Sequence, residues 1–195
     1  MTEQTVAQRR ESPARRRVLD TAAGLFYAEG VHTVGIDRII AEARVAKATF
    51  YHHFPAKDDL VSAYIQEHYG RQRQAVEAIR AAAAPPRETL LKIFDYMGVV
   101  GAGPTYRGCP FINAAAEYPD PAHPVRQAIA DFRCWARGMF RELLTEAGHP
   151  DPEGTAAILM MLRDGITVGS DLDDFADPDA LRAVIRDAVV RVVDP

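Results

Sequence analysis

Between Thr33 and Leu60 the chain reads T-V-G-I-D-R-I-I-A-E-A-R-V-A-K-A-T-F-Y-H-H-F-P-A-K-D-D-L, and no other stretch restricts the fold as strongly. Ile36, Ile39, Ile40 and Ala43 stand at offsets of zero, three, four and seven, so they share one face of a short helix. Arg44 and Val45 interrupt that pattern. In the helical pattern that follows, Phe50 and Phe54 lie one turn apart, placed to pack on the first helix and fix the angle between the two. At about 100° per residue, Ala48 and His52 then point away from Phe50, with Lys47, Thr49 and Tyr51 on the flanks. Two short helices joined through so tight a break read as a helix-turn-helix.

The outward rim has the chemistry of a helix that enters a DNA major groove. Ala48 adds little bulk, Thr49 and His52 can meet base edges, and Lys47 and Tyr51 can reach phosphate oxygens. Arg17, Thr33, Gly35 and Lys57 complete the candidate DNA-contacting set. The bland alternative for the rim is an ordinary solvated helix face.

The run A-K-A-T-F-Y-H-H-F-P-A-K-D-D-L from Ala46 resembles the signature of TetR-family transcriptional regulators. The resemblance extends back through Ala22, Leu25, Phe26 and Gly30, and covers about residues 15 to 60. It implies an all-α chain: an N-terminal three-helix DNA-binding domain, then a C-terminal helical domain for ligand binding and dimerisation. It further implies a regulator, most often a repressor, released from its operator by a small molecule. Four positions depart from the pattern. Arg44 stands where the family usually has Gly, in a turn that often needs positive φ. Val34 and Gly35 replace the usual hydroxyl residues, leaving Thr33 and bare backbone N–H groups as substitutes. Ala56 replaces a Ser cap, a loss of roughly 0.5–2 kcal/mol that Asp58 and Asp59 partly offset through the helix dipole.

The net charge of −4 is unusual for a DNA binder until it is divided along the chain. Residues 1–57 hold nine Lys/Arg against six Asp/Glu, or +3, leaving fourteen against twenty-one, or −7, for residues 58–195. That is a basic head on an acidic body. With 195 residues, 48% of them hydrophobic, the chain can bury a substantial core in one or two domains. No apolar run is long enough for a bilayer and the basic N-terminus lacks the apolar centre of a signal peptide, so a cytoplasmic location is expected.

Taken in order, residues 1–12 read as a flexible basic arm carrying Arg9 and Arg10, suited to phosphates or a minor groove or serving only as a solubilising tail. Residues 13–57 form the DNA-binding domain. Its first helix opens at Ser12-Pro13, with Ser as cap, and carries the stripe Val18, Ala22, Leu25 and Phe26. Residues 58–195 form the effector-binding and dimerisation body. A long helix from Lys57 to about Ala83 ends at Pro85-Pro86, and another runs from Arg87 to about Val100. A short helix covers Cys109 to Glu117, and the prolines at 119, 121 and 124 open a long amphipathic one through Ala147. Asp151-Pro152 and Asp177-Pro178 start the last two.

The earlier of these is apolar nearly all round and the later carries Leu181, Val184, Ile185, Ala188, Val189 and Val192, which suggests a four-helix bundle across a two-fold axis or, alternatively, an internal core. The expected dimer interface comprises Ile158, Met161, Leu162, Leu181, Val184, Ile185, Ala188 and Val192. An effector pocket is expected among Tyr96, Met97, Phe111, Asn113, Trp135, Met139, Arg163 and Thr167, each of which also suits ordinary packing. Arg163-Asp164 interrupts the most apolar helix, as a structural ion pair or as a receptor for an anionic or polar effector; the pair is the favoured reading.

Other chemistry finds little support. None of Ser12, Ser62 and Ser170 lies in G-x-S-x-G. His52 and His53 point to different sides of their helix, and the remaining histidines lack ligand spacing, so neither metal nor cofactor is expected. Cys109 and Cys134 read as structural thiols, although a helix N-terminus beside Cys109 would also suit a redox sensor. The expected partners are a pseudo-palindromic double-stranded operator, a second copy of the chain and an unidentified small-molecule effector. The rival of a different class is a helical small-molecule-binding or enzymatic protein whose head has lost DNA binding, which the departures at Val34, Gly35 and Arg44 keep open.

Overall fold

The computed structural model describes residues 12–82, 84–173 and 177–194, and every regular element among them is an α-helix. The expected arm at 1–11, with Arg9 and Arg10, lies outside the described residues. The helices are α1 (Pro13–Glu29), α2 (Ile36–Ala43), α3 (Lys47–His53), α4 (Lys57–Ala81), α5 (Pro86–Gly101), α6 (Pro110–Glu117), α7 (Pro124–Glu146), α8 (Pro152–Leu172) and α9 (Pro178–Val193). They divide into two compact units, the first ending at Tyr64 and the second beginning at Ile65. The first unit thus takes in the opening turns of α4, where Leu60, Val61 and Tyr64 are buried, rather than stopping at 57.

In the first unit α1 buries Val18, Leu19, Ala22, Leu25 and Phe26, and Ile39, Ala43, Phe50 and Phe54 complete the core. Phe26 meets Tyr64 edge-on at 5.8 Å, joining α1 to the start of α4. Val34 and Ile39 occupy the two positions that a hydrophobic staple pairs around a helix start, and both are fully buried. The apolar residue at 34 therefore fixes the entry to α2 by packing where a hydroxyl would have capped it. Ser12 precedes α1 as expected but makes no cap hydrogen bond; its hydroxyl lies 3.2 Å from Nε2 of His53 instead. At α4 the missing cap is half replaced, because the Asp59 carboxylate accepts from the Ala56 N–H at 2.9 Å.

The turn between α2 and α3 is a Schellman motif. The Arg44 N–H donates to the Ala41 carbonyl at 3.2 Å and the Val45 N–H to the Ile40 carbonyl at 3.3 Å. This geometry places Arg44 at φ 53 and ψ 51, the left-handed region. Among the described residues Arg44 is the non-glycine with positive φ. The same motif closes α7, where Gly148 at φ 74 donates to Thr145 and His149 to Leu144, each at 3.0 Å.

In the second unit α7 and α8 pack antiparallel, tied by Arg133 to Asp164 at 2.7 Å and by Arg141 to Glu153 at 3.5 Å. Asp151 caps α8 through the Gly154 N–H and Asp177 caps α9 through the Asp179 N–H, as the Asp-Pro pairs predict. Helix α5 lies against α9 so closely that a Cβ at Gly98 would come within 2.9 Å of Arg182 Cγ. Arg182 in turn clasps both carboxylate oxygens of Asp95, at 2.8 and 3.0 Å.

That packing corrects part of the expected dimer face. Leu181 and Ile185 are only 4% and 3% exposed, because with Val189 and Val193 they form the inner stripe of α9. Val184 lies on the outer face, while Leu162, Ala188 and Val192 are half-buried.

Two stability measurements follow. Replacing Arg44 by Gly removes the left-handed penalty, and after the added chain entropy of glycine the variant gains roughly 0.5–1 kcal/mol in urea unfolding. Burial, helped by the Arg71 guanidinium and opposed by Glu67, pushes the His68 imidazole down to about 4. The native state therefore prefers neutral His68, and its contribution, complete above the unfolded value near 6.5, is lost as pH falls toward 4. The loss reaches roughly 3 kcal/mol and is smaller by that amount in His68→Gln, compared by urea unfolding at pH 7 and pH 4.

Candidate nucleic-acid interface

Phe50 sets the geometry of the α3 surface. It is fully buried, 6.1 Å from Phe54 between ring centroids, so the opposite side of the helix faces solvent. Lys47, Ala48, Tyr51 and His52 are exposed and Thr49 is half-buried. Tyr51 stands edge-on to Phe50 at 5.3 Å with 41% of its surface accessible. His52 and His53 rings lie 5.0 Å apart, but His53 turns to Ser12 and His52 stays on the rim.

Of the other expected contact residues, Arg17 and Thr33 are exposed and Lys57 is half-buried. Gly35, also exposed, is the N-cap of α2 in an extended conformation with no side-chain cap bond. No side chain thus hydrogen-bonds the start of α2 as a cap, and an uncapped helix N-terminus favours anions. Lys47 is not idle: its ammonium lies 3.2 Å from the Asp37 carboxylate, bridging the start of α3 to the first turn of α2. Sequence reasoning missed this pair because the two residues are ten apart in different helices. Arg15 and Arg16, which precede Arg17 on α1, are engaged within the unit, Arg15 over the Phe54 ring at 5.1 Å and Arg16 with Asp20.

Arg38 cross-braces the same unit. Its guanidinium grips both oxygens of Glu29, at 2.6 and 2.8 Å, and bonds Glu42 at 2.7 Å. The hydrogen bond to Glu29, then that to Glu42, holds the Arg38 pKa above its ordinary value, and Glu29 is correspondingly lowered. The clasp ties the end of α1 to α2.

The second unit gathers some of the expected effector residues and separates others. Phe111 stacks on Phe132 at 3.8 Å with the planes 2° apart, and Trp135 and Tyr69 close the group at 5.4 Å from each other. Arg163, 4% exposed, places its guanidinium 4.9 Å from the Phe132 centroid, donates to Cys109 Sγ at 3.3 Å and bonds Asp164 at 2.8 Å. Burial opposes its charge, but Cys109 and Asp164 outweigh burial and raise its pKa. The structural ion pair, the favoured reading of Arg163-Asp164, joins buried Arg163 to half-buried Asp164 and is extended by Arg133. Thr167 joins through its hydroxyl, which donates to the Asp164 carbonyl, while its own carbonyl accepts from Tyr106.

Met139 is buried and Met97 half-buried, but Tyr96 lies on the outside of α5 beside exposed Val99 and Val100. Asn113 is also exposed, its amide donating to the Arg107 carbonyl at 2.8 Å. A cavity of about 290 Å³ is lined by Arg87, Leu90, Leu144, His149, Val193 and Asp194 among others, and by none of the expected effector residues. Cys134 is exposed, unlike Cys109. Among the described residues no helix is long and apolar enough to cross a membrane, and no His/Cys/Asp/Glu group has the composition of a metal site.

Comparison with known proteins agrees with this layout. Residues 18–64 match the family model for bacterial regulatory proteins of the tetR family, and residues 112–195 match that for a tetracyclin repressor-like C-terminal domain. The HTH-type transcriptional regulator LmrA of Bacillus subtilis is 25% identical over 159 residues, 78% of this chain and 84% of LmrA. The HTH-type transcriptional repressor NemR of Escherichia coli is 25% identical over 121 residues, 61% of each chain. The crystal structure of a TetR-family transcriptional regulator from Streptomyces coelicolor superposes with a TM-score of 0.86 at 40% identity, over 92% of this chain and 94% of that one. With an exposed rim on its second short helix, a family model matched at each end and a relative of that identity along nearly its whole length, the chain belongs to the TetR family of DNA-binding transcriptional regulators.

Proposed function

We propose that this protein is a homodimeric repressor that binds a pseudo-palindromic operator through α3 and leaves it when a small molecule occupies the second unit. The observation that carries the reading is the rim of exposed Lys47, Ala48, Tyr51 and His52 with half-buried Thr49, on the back of buried Phe50. Thr49 and His52 read base edges, Lys47 and Tyr51 hold phosphates, and Arg17, Thr33, the α2 N-terminus at Gly35 and Lys57 anchor the flanks. NemR, matched over part of the chain, carries the name of repressor. That likeness supports the direction of control.

A helix as short as α3 offers few base contacts, so specificity asks for two half-sites about one helical repeat apart, roughly 34–36 Å. A surface for the second copy is available on α8. Ile158, Met161, Gly165, Val168 and Leu172 are all exposed and follow one another at spacings of three and four, the seam of a paired helix. Met161 and Leu172 are 65% and 75% accessible, and on α9 Val184 is exposed and Ala188 half-buried. Gly165, with open space where a Cβ would stand, lets the two copies approach closely at its centre.

The effector is proposed to seat against the aromatic group of Phe111, Phe132, Trp135 and Tyr69, with Arg163 beside it. Release then requires that the molecule favour the non-binding conformation, since equal affinity for both shifts nothing.

Three measurements test these parts. After selecting preferred duplexes from a random pool, Lys47→Ala weakens binding to all DNA and flattens the salt slope, whereas Thr49→Ala and His52→Ala relax sequence preference by about 1–3 kcal/mol; unchanged binding in all three removes α3 from the interface. Met161→Glu converts the dimer to monomer in sedimentation, and a variant that still sediments as the wild type excludes the α8 seam. Trp135 is the only tryptophan, so a compound that displaces the operator also shifts its emission and raises the melting temperature by mass action.

A further inference from the structure

We propose that Arg44, in the turn between α2 and α3, is a phosphate-binding residue that adds a contact outside the recognition helix. The inference rests on the DNA-binding reading above and starts from a conformational mismatch. The Schellman motif fixes residue 44 in the left-handed region, at φ 53, where a side chain is strained and glycine is not. The chain closes α7 with the same hydrogen-bond pattern and there uses Gly148. At the one motif that adjoins the DNA-facing helix it carries a long cationic side chain instead.

Position gives that side chain a use. Arg44 is exposed and stands two residues before Ala46, the N-cap of α3. The N-terminal residues of the second helix in this motif lie nearest the bases, so a long side chain just upstream projects over the phosphate strand bordering the groove. A guanidinium there binds two phosphate oxygens at once. Lys47, the nearest other cation in sequence, is held by Asp37 at 3.2 Å. Among the described residues no carboxylate holds Arg44 in the same way. A strained residue retained at a binding surface is where function is expected to oppose stability.

The test compares the full-length wild type with Arg44→Gly, Arg44→Asn, Arg44→Lys and Lys47→Ala on the selected operator and a scrambled duplex across a salt series. Arg44→Gly is expected to melt at higher temperature than the wild type, so a loss of binding cannot come from unfolding. It weakens both duplexes by a similar factor and flattens the slope of log K against log salt by about 0.9 per copy, or about 1.8 for a dimer. Arg44→Asn, neutral and tolerant of the left-handed region, behaves like Gly, and Arg44→Lys recovers most of the slope. If Arg44→Gly keeps the wild-type slope while Lys47→Ala loses it, this proposal is overturned and the DNA-binding reading stands. If the wild type itself binds no duplex, both fall.

Discussion

The burial of Phe50 decides which way every other side chain of α3 points. Burying a phenylalanine contributes roughly 1.5–3 kcal/mol, and Ile39, Ala43 and Phe54 line the same interior. The Lys47–Asp37 pair across the same two helices is solvent-exposed, and pairs of that kind contribute roughly 0.2–1 kcal/mol. Packing therefore sets the angle of α3, and the ion pair adjusts only the lysine. A helix of seven residues could not hold its shape alone, because nucleation is unfavourable at that length. Its surface chemistry is borrowed from the apolar face behind it.

The ends of the helices divide into two kinds. In the second unit α7, α8 and α9 each open with a side-chain cap, from His123, Asp151 and Asp177, while α5 and α6 open without one. In the first unit α1, α2 and α3 open without one, and α2 is steadied by buried Val34 and Ile39. Packing thus replaces hydrogen bonding at the entry to α2, and its N–H groups stay open to an external acceptor. The departure at Val34 and Gly35 changes how the helix is held without covering the surface that the motif presents.

Most of the first unit was legible in the sequence because its signals are local. The offsets of Ile36, Ile39 and Ala43, and the single turn separating Phe50 from Phe54, specify faces directly, and those residues are buried or half-buried as the offsets require. Ser12 shows where local reasoning stops: a good cap residue in the right place spends its hydroxyl on His53, forty-one residues away. In α9 periodicity distinguishes two apolar stripes but not which of them meets its own chain, and the inner one proved to be Leu181, Ile185, Val189 and Val193. The contacts of Arg163 were likewise out of reach, since Cys109 and Phe132 come from other helices. The residues of the aromatic group are visible in the sequence, but their convergence is a product of the tertiary fold.

The Asp37–Lys47 pair gives the rim a built-in discount on indiscriminate adhesion. An ammonium that must leave a carboxylate before it meets a polyanion gains less from the encounter than a bare one, whatever the order of the bases. That cost is the same on every sequence, so it lowers affinity for all duplexes by one factor and leaves the ratio between right and wrong sites to the contacts made with the bases themselves. A head with only a modest surplus of positive charge thereby holds every duplex less tightly and exchanges between sites faster.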